Sequence, residues 1–160
     1  MLTAKGKYGL KALAYLASRK PGAMVQAADI AEDNNIPKKF LDTILGELRN
    51  AGIVYSKKGP AGGYMLAKPA SDIRVGQVVR TLDGPIAPIA CASRTAYQLC
   101  KDCNNVKRCV VRLAMMRVRD AMSEVLDATT LADMVALNAS REPHGRKAAT
   151  SRDDELVYHI

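Results

Sequence analysis

"ADIAEDNNIPKKFLDTILGELRNAGIVYSKKGPAGGYML", residues 28–66, decides how this 160-residue chain folds. Within it Leu41, Ile44, Leu45 and Leu48 stand at i, i+3, i+4 and i+7, one apolar stripe on one helix face. "NNIP" at 34–37 predicts a turn, with Pro37 as the first residue of that helix, where a missing N–H costs nothing. Gly52 stands where a left-handed C-terminal stop belongs. A short helix over residues 26–34 precedes it, with Ala27, Ile30 and Ala31 facing inward. Two strand-like runs follow, "IVYSK" and "GYMLAK", joined by "KGPAGG", whose Gly and Pro predict a tight, irregular hairpin tip.

Outward from this stretch, residues 5–19 carry Tyr8, Ala12, Tyr15 and Leu16 at helical spacing, and "PG" at 21–22 breaks the chain. Residues 73–83 predict a fourth helix packed on the unit. Short helices followed by a basic hairpin are the layout of a winged helix-turn-helix, expected over residues 1–83. The fold class is therefore mainly α with a small β-hairpin. A Pro-rich connector and a cysteine-rich loop occupy residues 84–109. Residues 106–126 hold no Gly or Pro and predict a long helix. Val111, Met115, Val118, Met122 and Val125 recur along it at alternating spacings of four and three, a coiled-coil-like seam. Residues 110–137 are thus expected to make a dimer interface, the alternative being a core stripe within one chain. Val110, Leu113 and Ala114 on the other face also need cover. From 138 to 160 the chain turns polar and mixed in charge, which predicts a flexible tail.

The formal net charge is +8, which suggests a polyanion partner. Residues 1–60 hold ten Lys/Arg against five Asp/Glu, and the rest fourteen against eleven, so the first third is the better anion binder. Aromatic residues are 4% and Trp is absent, which disfavours single-strand binding by base stacking. The apolar run near the N-terminus is interrupted by Lys11 and closed by Arg19 and Lys20, unlike a signal peptide. No stretch approaches the roughly 18 apolar residues that span a bilayer. The expectation is a cytoplasmic protein with no membrane partner. No HExxH, P-loop, GxSxG or Rossmann pattern appears, so enzyme activity is not expected.

A recognition helix enters the major groove by its first turns. With the apolar stripe committed to the core, Lys38, Lys39, Asp42 and Thr43 face outward there. The lysines suit phosphates or guanine, Asp42 suits cytosine N4, and Thr43 suits a thymine methyl or a phosphate. The wing adds Lys57, Lys58, Gly59 and Pro60, where glycine permits close backbone approach to phosphate. The bland alternative is a solvated basic face.

"LTAKGKYGLKALAYLA", "ADIAEDNNIPKKFLDTILGELRNAGIV" and "KKGPAGGYMLAKPASDIRVGQVVRTLDG" together resemble the bacterial IscR/NsrR/RirA-type family of winged-helix transcription regulators, over about residues 1–135. "GPAGGY" followed by "L" and I-x-V-G-x-V-V is the most specific part. The resemblance implies a homodimer on double-stranded promoter DNA. It also implies a 2Fe–2S or 4Fe–4S cluster held by three cysteines before a long dimer helix. It carries DNA contact to Lys38, Lys39, Phe40 and Asp42, with wing residues Lys58, Gly59 and Pro60, and cluster ligation to Cys91, Cys103 and Cys109. Two departures stand out. One branch of the family has a ligand histidine where this chain has Arg112, and another has an aspartate where this chain has Lys7.

All four cysteines, Cys91, Cys100, Cys103 and Cys109, fall within nineteen residues as C-x8-C-x2-C-x5-C. In a reducing compartment such a set binds metal or senses redox state more often than it forms structural disulfides. Iron–sulfur clusters commonly take four thiolates, so Cys100 could replace the missing histidine. Lys101, Lys107, Arg108 and the start of the long helix are expected to favour thiolate. The alternatives are a structural zinc on the same set, a Cys100–Cys103 thiol–disulfide switch, and an inert buried set. His144 and His159 fall in the presumed tail and are not expected as ligands. The expected function is a dimeric regulator whose promoter binding responds to a cluster in this loop. The alternative is a cluster-free regulator gated by thiol oxidation, structural zinc or a protein partner.

Overall fold

The computed structural model describes residues 2–139. In chain order it forms α1 (Ala4–Ala17), α2 (Ala27–Asp33), α3 (Lys38–Asn50), β1 (Val54–Lys57), β2 (Gly63–Leu66), α4 (Val75–Asp83), α5 (Val110–Ala128) and α6 (Leu131–Ala139). Short 3₁₀ turns lie at Ala70–Asp72, Ala90–Ala92 and Val106–Arg108. The expected tail from 138 onward lies outside the described residues, apart from the last two residues of α6.

The stripe of α3 is buried as its spacing requires, with Leu41, Ile44, Leu45 and Leu48 all inside. Pro37 caps the helix rather than opening it, and Gly52 has φ +68, the left-handed stop. The hairpin pairs antiparallel from Val54↔Leu66 to Lys57↔Gly63. Around α3 the core gathers Leu13, Ile30, Ile53, Ile73 and Val78.

Helix α1 differs from its expected stripe. Leu10, Ala12, Leu13 and Leu16 are buried, while Tyr8 and Tyr15 are only half-buried. A tyrosine keeps its hydroxyl at the protein edge, where it finds a partner. Here Tyr15 donates to Asp33, and the Tyr8 ring meets Phe40 edge-on at 5.7 Å. Gly6 and Gly9 let α1 lie close on α4, since a Cβ at these positions would collide with Asp83 and Leu82. Asp83, at the end of α4, then caps α1 by accepting from the Thr3 and Gly6 amides at 2.9 and 3.1 Å. Negative charge at a helix N-terminus is stabilising, and the cap fixes α1 and α4 as one block.

Helix α5 begins at Val110 rather than 106. Asn105 Oδ1 accepts from the Lys107 and Arg108 amides, and this holds residues 106–108 in a tighter turn. Along α5, Val111, Val118 and Val125 are 58%, 42% and 64% exposed, and Met115 and Met122 are half-buried. The seam is therefore not a core stripe of this chain. After α5 the chain turns back at Thr130, whose amide and hydroxyl are both held by Asp133. Leu131 N donates to Ile73 O at 2.8 Å, and Val75 N donates to Thr129 O at 3.0 Å. Leu131 thereby enters the core of the winged unit, so residues 1–83 do not close that core alone.

Candidate nucleic-acid interface and cysteine loop

Burial of the α3 stripe turns the other side of its first two turns to solvent. Lys38, Lys39, Asp42 and Thr43 are all exposed. Lys38 Nζ pairs with Asp42 Oδ2 at 3.0 Å, one helical turn on. Phe40 lies half-buried against Tyr8, below that exposed face, and seats α3 on α1. Lys57, Lys58, Gly59 and Pro60 are exposed at the wing tip. Among the described residues no carboxylate pairs with Lys39, Lys57 or Lys58. The face thus presents Lys39, Lys57 and Lys58 without an ion pair, beside the Lys38–Asp42 pair, suited to phosphate oxygens on either side of a groove. Because Asp42 both occupies Lys38 and repels phosphate, Asp42→Asn is expected to raise affinity for random-sequence DNA about threefold. Titration with a duplex of unrelated sequence checks this.

The loop between α4 and α5 starts at Gly84, φ +84, and runs to Cys109. Its turn at Ala90–Ala92 is anchored: Cys91 is 4% exposed and Ala92 is fully buried. Two arginines on α5, seven residues apart and so on one face, hold its backbone. Arg112 Nε donates to Cys91 O at 2.8 Å, and Arg119 Nη1 donates to Ala92 O. Arg119 is 6% exposed, and its other nitrogens bond Asp120 at 2.6 and 2.8 Å. Arg94, from the loop itself, reaches the same carboxylate at 2.9 Å. At the far end of α5 a two-pronged ion pair, Arg80–Asp127, ties the helix to α4. The hydrogen bonds from Arg80 hold the Asp127 carboxyl below its usual pKa. Gly76 makes room for this pair, since a Cβ there would collide with Asp127. Sequence reasoning had Arg112 only as the occupant of a histidine position, and it missed Arg119. The available signal was the heptad spacing of the two arginines, Arg112 and Arg119, along α5.

The four thiols are not equivalent. Cys91 is buried, Cys100 exposed, and Cys103 and Cys109 half-buried. Cys109 caps α5, its sulfur accepting from the Arg112 amide at 3.5 Å. The Cys100 thiol is raised above its ordinary pKa, first by a hydrogen bond with the Cys91 thiol and then by desolvation. The negative charge of Asp102 and the neighbouring cysteines add to this. Thiolate at Cys100 is therefore disfavoured, against the expectation from the nearby basic residues, because its immediate neighbours are sulfur and carboxylate. The donor chemistry suits iron–sulfur or zinc ligation. The placement does not: among the described residues no three of His, Cys, Asp and Glu are gathered where they could hold one metal ion. Cys103 N–H donates to Cys100 O at 3.4 Å, which closes the turn of the C-x-x-C segment.

Among the described residues no helix is long and apolar enough to cross a membrane. The chain is similar to an rrf2-like HTH-type transcriptional regulator of Rhodobacter capsulatus, 43% identical over 139 residues that cover 85% of this chain and 93% of that protein. Its fold is similar to the solved structure of CymR, the global cysteine regulator of B. subtilis, with a TM-score of 0.69 and 34% identity over 86% of this chain and 97% of that one. It is also similar to T. potens IscR, with a TM-score of 0.69 and 29% identity over 91% and 93% of the two chains. These relatives are transcription regulators, not enzymes, and they carry the winged-helix fold seen here. The Rrf2 family, described as iron-dependent transcriptional regulators, matches residues 2–137, and with the whole described winged unit, cysteine loop and long helix inside that match, the chain belongs to the Rrf2 family.

Proposed function

We propose that the protein binds double-stranded promoter DNA as a homodimer and that the chemistry of its cysteine loop sets its affinity. The observation that carries this is mechanical. Arg112 and Arg119 fasten the Cys91–Ala92 backbone to α5, and Arg80–Asp127 fastens α5 to the reading unit. In the dimer, Val111, Met115, Val118, Met122 and Val125 of α5 meet the same residues of a second copy. Their exposure supports this, since an unpaired apolar seam calls for a partner. Each α3 then presents Lys38, Lys39, Asp42 and Thr43 to one major groove, with Lys57, Lys58, Gly59 and Pro60 on the flanking phosphates. Binding depends steeply on the distance between the two α3 helices, because half-sites repeat with the DNA turn. A change at the cysteine loop shifts α5, the Arg80–Asp127 pair carries the winged unit with it, and that distance changes.

Two chemistries match the donor types of the loop, and metal or cluster binding requires its thiols to draw together from where they stand. An iron–sulfur cluster on Cys91, Cys103 and Cys109, with Cys100 as a further thiolate, is supported by the donor type and by the description of the family as iron-dependent. Zinc on the same set is the lesser alternative. Reversible oxidation of Cys100 with Cys103 is supported by their C-x-x-C turn, closed by Cys103 N–H to Cys100 O. Anaerobic purification with iron, sulfide and zinc analysis decides between them. The cluster reading expects iron and sulfide in roughly equal amounts, lost in Cys91→Ala with the dimer intact. A colourless protein without either after anaerobic reconstitution ends that reading. Zinc at about one per subunit points to a structural metal.

A further inference from the structure

We propose that Gln26 sets the position of the wing relative to α3 and is thereby a positioning residue for DNA binding. This rests on reading the tip of the β1–β2 hairpin as a DNA-contacting wing. Gln26 is the residue immediately before α2, the first helix of the helix-turn-helix pair. Its Nε2 donates to Gly62 O at 2.9 Å and to Pro60 O at 3.3 Å. Two carbonyls on one side-chain nitrogen use both of its hydrogens and fix the orientation of the amide. The side chain thus bridges a rigid helix start to the two residues that shape the tip.

The rest of the wing explains why such a bridge matters. Strands of four residues make a hairpin that is marginal by itself. Just below the tip, beside the closing pair Lys57↔Gly63, it is held by one bridge, Val25 N to Tyr64 O at 3.0 Å and Tyr64 N to Val25 O at 2.8 Å. Its tip is internally tight: Gly62 N donates to Gly59 O at 3.0 Å, Gly59 and Gly63 have φ +105 and +139, and a Cβ on Gly62 would collide with Lys57 O. The tip therefore moves as one piece about the Val25–Tyr64 bridge, and the Gln26 amide adds a hold beyond that bridge, on Pro60 O and Gly62 O. Lys57 and Lys58 ride on that piece, so their distance from Lys38 and Lys39 depends on Gln26. Holding the wing before DNA arrives removes an ordering cost from binding.

The test compares Gln26→Glu, which sets a carboxylate against the two carbonyls, and Gln26→Met, which keeps the volume and removes the donors, with Lys58→Ala as the reference. Gln26 is exposed, so both variants are expected to keep the helical circular dichroism and dimer of the parent. Promoter affinity is expected to fall about tenfold in each, as for two lost hydrogen bonds. The slope of log affinity against log salt is expected to shrink by about one, as for a lost phosphate contact. In a hydroxyl-radical footprint the outer, wing-protected positions open while those under α3 stay protected, a separation that general destabilisation would not give. Affinity and footprint unchanged in both variants, with Lys58→Ala still weakening binding, would overturn the role of Gln26. Unchanged binding in Lys58→Ala would instead remove the wing reading, and this inference with it.

Discussion

Replacing Lys38 and Lys58 together by alanine is expected to lower promoter affinity about a hundredfold and to reduce the salt slope by about two. The two residues stand on separate elements, α3 and the wing, and neither is needed for folding, since both are exposed. Each phosphate neutralised by a lysine releases counterions, so each lost contact shows twice, as weaker binding and as weaker salt dependence. The ion pair of Lys38 with Asp42 does not oppose this. Both side chains are about half exposed, and such a pair is worth at most about 1 kcal/mol, so Lys38 exchanges the carboxylate for phosphate readily. Fluorescence anisotropy over a salt series reads both quantities. Binding unchanged in the double variant would move the interface to another face of the protein.

Arg119→Met is expected to cost about 2–3 kcal/mol in urea denaturation, and also to release the cysteine loop. Removing the guanidinium leaves the Ala92 carbonyl, on a fully buried residue, without its Arg119 partner. Asp120 is not stranded in the same way, because it is half exposed and keeps Arg94. The cost therefore lies mainly in the buried carbonyl and the lost packing, below what a stranded buried charge would bring. The specific signature is local: amide exchange over residues 90–99 should speed up more than exchange in α3. Arg119→Lys keeps the charge but loses the planar fork, and should lie between the two. A Met variant as stable as the parent, with an equally protected loop, would mean that Arg119 does not fasten the loop to α5.

Much of this arrangement follows from local pattern. The stripe Leu41–Leu48 dictates which face of α3 is buried, and so leaves Lys38, Lys39, Asp42 and Thr43 outside. Gly52 and the Gly-rich tip punctuate α3 and the hairpin because only glycine takes the positive φ these turns require without strain. The seam on α5 is legible for the same reason: spacings of four and three place Val111 to Val125 in one line.

What escaped was set by partners far along the chain. On α1, periodicity allowed both a Tyr-bearing and a Leu-bearing face, and the Leu face won because α4 packs there against Gly6 and Gly9. Helix α6 is largely apolar and shows no strong stripe, so its pattern does not single out Leu131, which is drawn into the core by a backbone bridge to residues 73–75. Phe40 looks like part of a basic reading stretch and is instead turned toward Tyr8. The cysteine spacing states which thiols are near in sequence. That Cys91 is buried and Cys100 exposed, while Cys109 caps α5, depends on where Arg112 and Arg119 pin the loop.

Local sequence alone thus carries the helices, the hairpin, the basic reading face and the unpaired seam, since each depends on residues within one or two turns of one another. The tertiary structure chose how the cysteine loop is held, which of its thiols are buried, and that the chain returns after α5 through Leu131 to the winged unit. Those outcomes rest on side chains tens of residues apart, among them Arg119 with Ala92, Arg80 with Asp127 and Gln26 with Gly62, whose pairing is settled only when the packed core brings their backbones within hydrogen-bond reach.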